Sequence, residues 1–274
     1  MTFFAGARPG RQVTHGSASF ELPILYHRDD AFGLFFTADA GAVRAMLPSP
    51  RLHPLILPGK RALVGVMAFN YIDTSIGPYG EVAVAAPVVH GGRPPLGPPA
   101  ALLEARYPGF GNLVLHLPVT SRLARDAGRG QWGYTKFVAD MRFRITPERM
   151  ECALAEGGRE ILTLCVARRG LALPDPNPLV TYSVREGALI RTTIPQRGIF
   201  RNALRPRGST LELGRHPVAE SIRALDLGPR PLLSRYYLER AAILPEGQVV
   251  ESGVRPLEGF HGAQEQGEHT VRYQ

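Results

Sequence analysis

Apolar runs of strand length, one of them alternating cleanly with polar residues, recur along most of the chain. Phe20–Tyr26 (FELPILY) and Ala31–Thr37 (AFGLFFT) are two such runs, separated by the charged corner His27-Arg28-Asp29-Asp30. Ala62–Tyr71, Glu81–His90 and Asn112–Val119 follow. Tyr134–Ile145 then puts Phe137, Ala139, Met141, Phe143 and Ile145 on one face and Lys136, Val138, Asp140, Arg142 and Arg144 on the other. Met150–Ala155 and Glu160–Ala167 read as a hairpin turning at Glu156-Gly-Gly158. Past the proline-rich break at residues 173–178, shorter strands are expected at Val180–Val184, Ala188–Thr193, Thr210–Leu213 and Tyr236–Leu244. Helical spacing is confined to Asp39–Leu47, stopped by Pro48, to a turn at Ser121–Asp126 capped by the serine, and to Val218–Leu225. The pattern predicts a mainly β (α+β) chain, with one antiparallel β domain over 1–274 and a few covering helices. The tail from Glu246 onward is polar and glycine-rich and is expected to be loose.

Composition changes this picture little. Thirty glycines and twenty-five prolines fit many turns between short strands, and Gly91–Pro99 is a rigid insertion-like loop. A net charge of +8 raises the question of nucleic acid or anionic membranes. The arginines are scattered in ones and twos, so neither nucleic acid nor membrane is expected as a partner. Cys152 and Cys165 have no metal-ligand spacing and read as buried free thiols, although facing strands could pair them. The histidines are isolated, and no metal or other cofactor is expected. The N-terminus breaks too early for a signal segment, and no apolar run reaches the ~18 residues of a membrane span. A cytoplasmic location is expected.

The choice of cations points to the chemistry. Of 32 basic residues only Lys60 and Lys136 are lysine. Arginine stays protonated, whereas a buried lysine loses its charge readily and attacks carbonyls to form a Schiff base. Trp132, Tyr134 and Phe137 surround Lys136 in sequence, and apolar neighbours of this kind strip water from an amine. Glu81 opens an apolar run. Lys136 on a surface strand and Glu81 at an exposed strand end are the plain readings against which these stand.

Three segments, in order, resemble the acetoacetate decarboxylase-like superfamily. Gly128–Lys136 (GRGQWGYTK) is similar to the family's G-R-E-x-x-G/A-[FY]-P-K-K, and Lys136 stands at the first lysine, which forms the Schiff base. Tyr79-Gly-Glu81 with Ala86-Pro87-Val88 resembles Y-x-E…PV, whose glutamate lies in the active site. His27-Arg28-Asp29, followed by Phe35-Phe-Thr and a helix ending in Leu-Pro-Ser-Pro50, puts Arg28 on the family's active-site arginine. The resemblance is clearest over residues 20–170. Phe137 replaces the second lysine, Thr135 the proline and Gly130 the motif glutamate. A second family glutamate has no counterpart, its region holding Gly65, Val66 and Met67.

The resemblance implies a β-barrel with a central pocket, a homo-oligomer, and a cofactor-independent lyase acting on a small keto acid through an imine on Lys136. Decarboxylation and aldol or dehydratase chemistry both start from that imine. Arg28 would dock the substrate carboxylate and Glu81 move protons, with Tyr134, Trp132 and Phe137 as pocket walls. Apolar Leu55-Ile-Leu-Pro is expected at an interface between subunits. The reading from another class is a barrel that binds a small anionic or apolar ligand without turning it over.

Overall fold

The runs become strand nearly throughout the computed structural model, which describes residues 3–92, 107–175, 177–257 and 262. β1 (Arg11–His15) and β2 (Ala18–Leu22) form a hairpin. β3 (Ile24–Asp39) then runs through the charged corner, where two separate strands were expected. Asp39 caps α1 (Ala40–Met46), its carboxylate accepting from the Ala42 N–H at 2.7 Å. β4 (Leu52–Pro54) and β5 (Ile56–Leu57) are short; β6 (Arg61–Thr74), β7 (Tyr79–His90) and β8 (Phe110–His116) are the apolar runs. Ser121 caps α2 (Arg122–Ala127), accepting from the Ala124 N–H at 3.2 Å, and a π-helical turn at Gly128–Trp132 follows directly. β9 (Asp140–Ile145), β10 (Arg149–Glu156), β11 (Arg159–Ala167), β12 (Leu171–Pro174), β13 (Leu179–Arg185), β14 (Ala188–Ile194), β15 (Gln196–Leu204) and β16 (Thr210–Leu213) precede α3 (Pro217–Ala224). β17 (Leu233–Leu244) and β18 (Gln248–Ser252) close the described chain.

Among the described residues twelve strands form one sheet whose main path runs β12-β15-β17-β3-β6-β7-β8-β13-β14-β18, antiparallel except where β8 meets β13. One face of it carries Phe32, Leu34, Val64, Val66, Val82 and Val84, packed with Met150, Leu154, Ile161 and Leu164 of the four-stranded sheet β16-β11-β10-β9 and with Val218 and Ile222 of α3. The other face curls inward around a pocket. The expected closed barrel is corrected here: among the described residues no ladder joins the two ends of this path. The strands next to the two ends are linked by the chain itself. β14 stops at Ile194 and β15 starts at Gln196, so Pro195, which has no N–H to give a ladder, turns the corner.

Other expectations also shift. The strand predicted from Tyr134 becomes regular only at Asp140, and β15 was not anticipated. The segment after Glu246 starts with β18, paired to β14. Most of the Gly91–Pro99 loop lies outside the described residues. Leu55 and Leu57 are core residues with Leu63; the exposed apolar side chains are elsewhere, at Leu171, Ile199 and Leu204 among others. Cys152 and Cys165 are free thiols, and burial pushes the Cys152 thiol up to about 12.

A buried histidine makes stability depend on pH. Burial, then the nearby His216, pulls the His116 pKa down to about 4. Unfolded, the same ring binds its proton below about 6.5. Between those values only the unfolded chain is protonated, so stability falls as pH drops through that window, by up to about 3 kcal/mol. Urea midpoints at pH 7 and pH 5 should differ less in His116→Gln than in the unsubstituted protein; an equal difference would remove His116 as the cause.

Candidate active site

The inward face of the curled sheet encloses a cavity of about 150 Å³, far above the ~10–15 Å³ that holds one water. Its walls are largely apolar; Lys136 and Glu81 meet in it, and Asn112 and Arg235 also line it.

Lys136 lies on an extended segment beside the continuation of β8. The Leu117 N–H donates to the Thr135 carbonyl at 3.2 Å and the Val119 N–H to the Phe137 carbonyl at 2.9 Å. Bonding on either side of Lys136 turns Thr135 and Phe137 away and leaves the amine facing the cavity. The π-helical turn folds back on the same segment, with the Arg129 Nε donating to the Lys136 carbonyl at 2.6 Å. Gly128 is where the lysine stem crosses that turn. A Cβ placed there would lie 2.5 Å from Lys136 Cδ and 2.6 Å from Cε, so a side chain at 128 would displace the amine.

Lys136 Nζ donates to Glu81 Oε2 at 2.7 Å, and both side chains are at least nine-tenths buried. Glu81 is inward on β7, opposite Phe69 of β6. Its other oxygen accepts from the Tyr71 hydroxyl at 3.1 Å. Tyr26 and Tyr79 share a hydrogen bond of 2.9 Å beside it. Burial, then the Glu81 charge, raises the Tyr26 and Tyr71 phenols; burial, then Tyr26, raises Tyr79. All three therefore stay neutral O–H donors. The amine sits 5.6 Å from the centre of the Tyr79 ring and 5.9 Å from that of Tyr134. Tyr134 hydrogen-bonds Thr181 at 2.7 Å, and burial pushes its phenol up to about 12.

Arg28 is not in this cluster, which corrects its expected role. The β3–β6 register shifts on both sides of Arg28, a bulge that leaves His27 and Arg28 outward and turns Asp29 and Asp30 inward. Arg28 is 55% exposed and faces Glu239 at 3.8 Å. Arg235 and Arg240 both line the pocket, and Arg240 is brought inward by register shifts of β17 against β3 on both sides of it. Its Nε donates to Asp29 Oδ1 at 2.9 Å and its Nη1 to Gln196 Oε1 at 2.8 Å. Its guanidinium lies 5.1 Å from the centre of the Phe69 ring, and Phe69 is the cross-strand neighbour of Glu81. Asp29 is fully buried, with Oδ2 unpartnered; burial, opposed by Arg240, raises its carboxyl pKa.

Two further expectations are revised. Phe137 points the opposite way from Lys136, into the core beneath α3, where it stacks on His216 at 6.4 Å. Trp132 is buried behind Tyr134, with Nε1 donating to the Pro245 carbonyl at 2.9 Å. Neither lines the cavity, whereas Tyr134 does. Sequence reasoning missed Tyr26, Tyr71, Asp29, Gln196 and Arg240. A charged Glu-Arg pair inside the apolar run Tyr236–Leu244 was the available signal for Arg240.

The family described as acetoacetate decarboxylase (ADC) matches residues 11–253. No curated protein matches the chain in sequence. Among solved structures, an acetoacetate decarboxylase is similar at 19% identity, with 84% of this chain and 90% of that one covered and a TM-score of 0.64. The acetoacetate decarboxylase of Legionella pneumophila is 17% identical over 90% of this chain and 94% of its own, with a TM-score of 0.61. The enduracididine biosynthesis enzyme MppR, complexed with pyruvate, is 12% identical over 84% of this chain and 91% of its own, with a TM-score of 0.62. At such identities the structural likeness carries the fold.

Proposed function

This chain belongs to the acetoacetate decarboxylase family, and we propose that it is a cofactor-independent Schiff-base lyase acting on a small keto acid. The observation that carries the reading is the buried 2.7 Å contact between the Lys136 amine and the Glu81 carboxylate inside the cavity. Glu81 accepts the lysine proton, which frees the amine to add to the keto carbon. Glu81 returns that proton to the carbinolamine oxygen, water leaves, and the C=N bond forms as a protonated imine. Arg240, already oriented by Asp29 and Gln196, holds the substrate carboxylate.

The imine then takes up an electron pair from a breaking bond, either the bond to CO₂ or a C–H or C–C bond beside the imine carbon. After loss of CO₂, Glu81, by then a carboxylate, takes a proton from solvent and passes it to the enamine carbon. On the C–H or C–C path Glu81 takes the proton released and returns it to the enamine carbon, or to the alkoxide formed when the enamine adds to a second carbonyl, and water finally adds to the imine and releases Lys136. Both outcomes have support among the similar folds: two are acetoacetate decarboxylases, and MppR has been seen with the condensation product of pyruvate and imidazole 4-carboxaldehyde. The test is borohydride reduction with a panel of 2-oxo and 3-oxo acids, read by intact mass. A reduced adduct supports the lyase reading. Tight binding of the same acids without any adduct would leave a non-catalytic binding protein.

Gly128→Ala probes the alignment of the amine. Alanine suits the helical φ of −65° at this position, so folding should be retained while the methyl group pushes Lys136 off Glu81. Displacements of this size cost on the order of 10²-fold. The initial trapping rate should fall at least about tenfold; a rate equal to that of the unsubstituted protein would contradict the placement.

A further inference from the structure

We infer that the site takes a keto acid carrying an unbranched apolar arm of several carbons, laid in a trench that leads away from Lys136 along β7. The inference rests on the imine reading above and adds the class of acid. Along β7, Glu81, Ala83 and Ala85 face the cavity while Val82, Val84 and Ala86 face the core. Two such steps carry the trench about 13 Å from Glu81 to Ala85.

Its floor is low because the side chains are small. Ala83 pairs with Met67, and Ala85 with Gly65 on one side and Val114 on the other, so no charge and no long polar side chain stands in this stretch of the floor. Asn112, further along β8, has its amide nitrogen engaged by the Val180 carbonyl at 3.1 Å. The end wall is Phe35, opposite Gly65. A Cβ on Gly65 would lie 3.0 Å from Phe35 Cε1, so the glycine is what lets the ring lie flat there. Lys136, Glu81, Tyr71 and Arg240 stand at the other end, while the guanidinium of Arg235 lies 6.0 Å from the centre of the Phe35 ring at the far limit of the trench. An acid as short as acetoacetate would occupy only the Lys136 end. A longer chain fills the trench and displaces water from apolar walls, and a methylene buried in this way contributes about 0.8 kcal/mol.

The experiment is borohydride trapping with freshly prepared acetoacetate, 3-oxohexanoate and 3-oxooctanoate, with the half-saturating concentration measured for each. In the unsubstituted protein that concentration should fall about tenfold per added two-carbon unit. Ala85→Leu puts a side chain into the trench and should reduce the ratio between the shortest and longest acids at least about tenfold. A ratio does not depend on how much of a variant folds, and the series on the unsubstituted protein stands without any variant. A flat series, or a wild-type ratio in Ala85→Leu, would overturn the inference while leaving the imine intact. No adduct from any of the three acids would overturn the imine reading and this inference with it.

Discussion

Lys136→Arg should abolish imine formation and leave the fold in place. The arginine keeps the positive charge beside Glu81, whose side chain is 9% exposed, so the buried ion pair survives. It has no amine to lose a proton and attack a carbonyl. Trapping should drop to background, a loss of at least about 10³-fold if covalent catalysis is the main device. Lys136→Ala makes the contrasting case. It strands the Glu81 carboxylate in the interior, and breaking a buried pair from one side costs about 3–5 kcal/mol. Both variants should be inactive, but only the alanine should be markedly less stable by urea unfolding. Residual trapping in Lys136→Arg at the rate of the unsubstituted protein would take the nucleophile away from this residue.

Arg240→Met should be the most damaging substitution at the other end of the polar cluster. Asp29 is 0% exposed, and Arg240 is its ion-pair partner among the described residues. Removing the guanidinium leaves a buried carboxylate uncompensated, again at about 3–5 kcal/mol. Adding Asp29→Asn should recover most of that loss, because a neutral pair replaces the stranded charge. The recovered double variant isolates binding from folding. Without the guanidinium, the half-saturating concentration of a keto acid should rise about 100-fold, corresponding to a charge-assisted hydrogen bond of ~2–3 kcal/mol. Native-like stability with unchanged affinity would show that Arg240 supports the fold and does not hold the carboxylate.

The contrast between Lys136 and Arg240 shows which parts of the site the sequence made legible. Lys136 and Glu81 lie in segments whose motif order is readable, and the structure brings them to 2.7 Å. The cap at Ser121 was legible because its side chain bonds backbone three residues on. Arg28 was misplaced and Arg240 missed for one shared reason. The register shifts around each residue, on β3 and on β17, change which face it takes, and nothing in the alternation marks an inserted residue. Trp132 and Phe137 were grouped with Lys136 because they are neighbours in sequence. In the structure Phe137 takes the opposite side of an extended segment, and Trp132 packs behind Tyr134. The corner at Pro195 was equally hidden, since it joins β14 and β15, each next to a different end of the sheet path. The tyrosines around Glu81 come from β3, β6 and β7, and only folding assembles them.

Peptide mapping of the borohydride-reduced adduct tests the central claim most directly, and the chain supplies its own control. Lys60 is the other lysine, exposed at the end of the 3-10 turn Pro58–Lys60 between β5 and β6. After incubation with 2-oxo and 3-oxo acids, the account predicts a reduced adduct of defined mass on the peptide containing Lys136, with Lys60 unmodified. Adducts on Lys60 or the N-terminal amine alone, or no adduct from any acid in the panel, would contradict it.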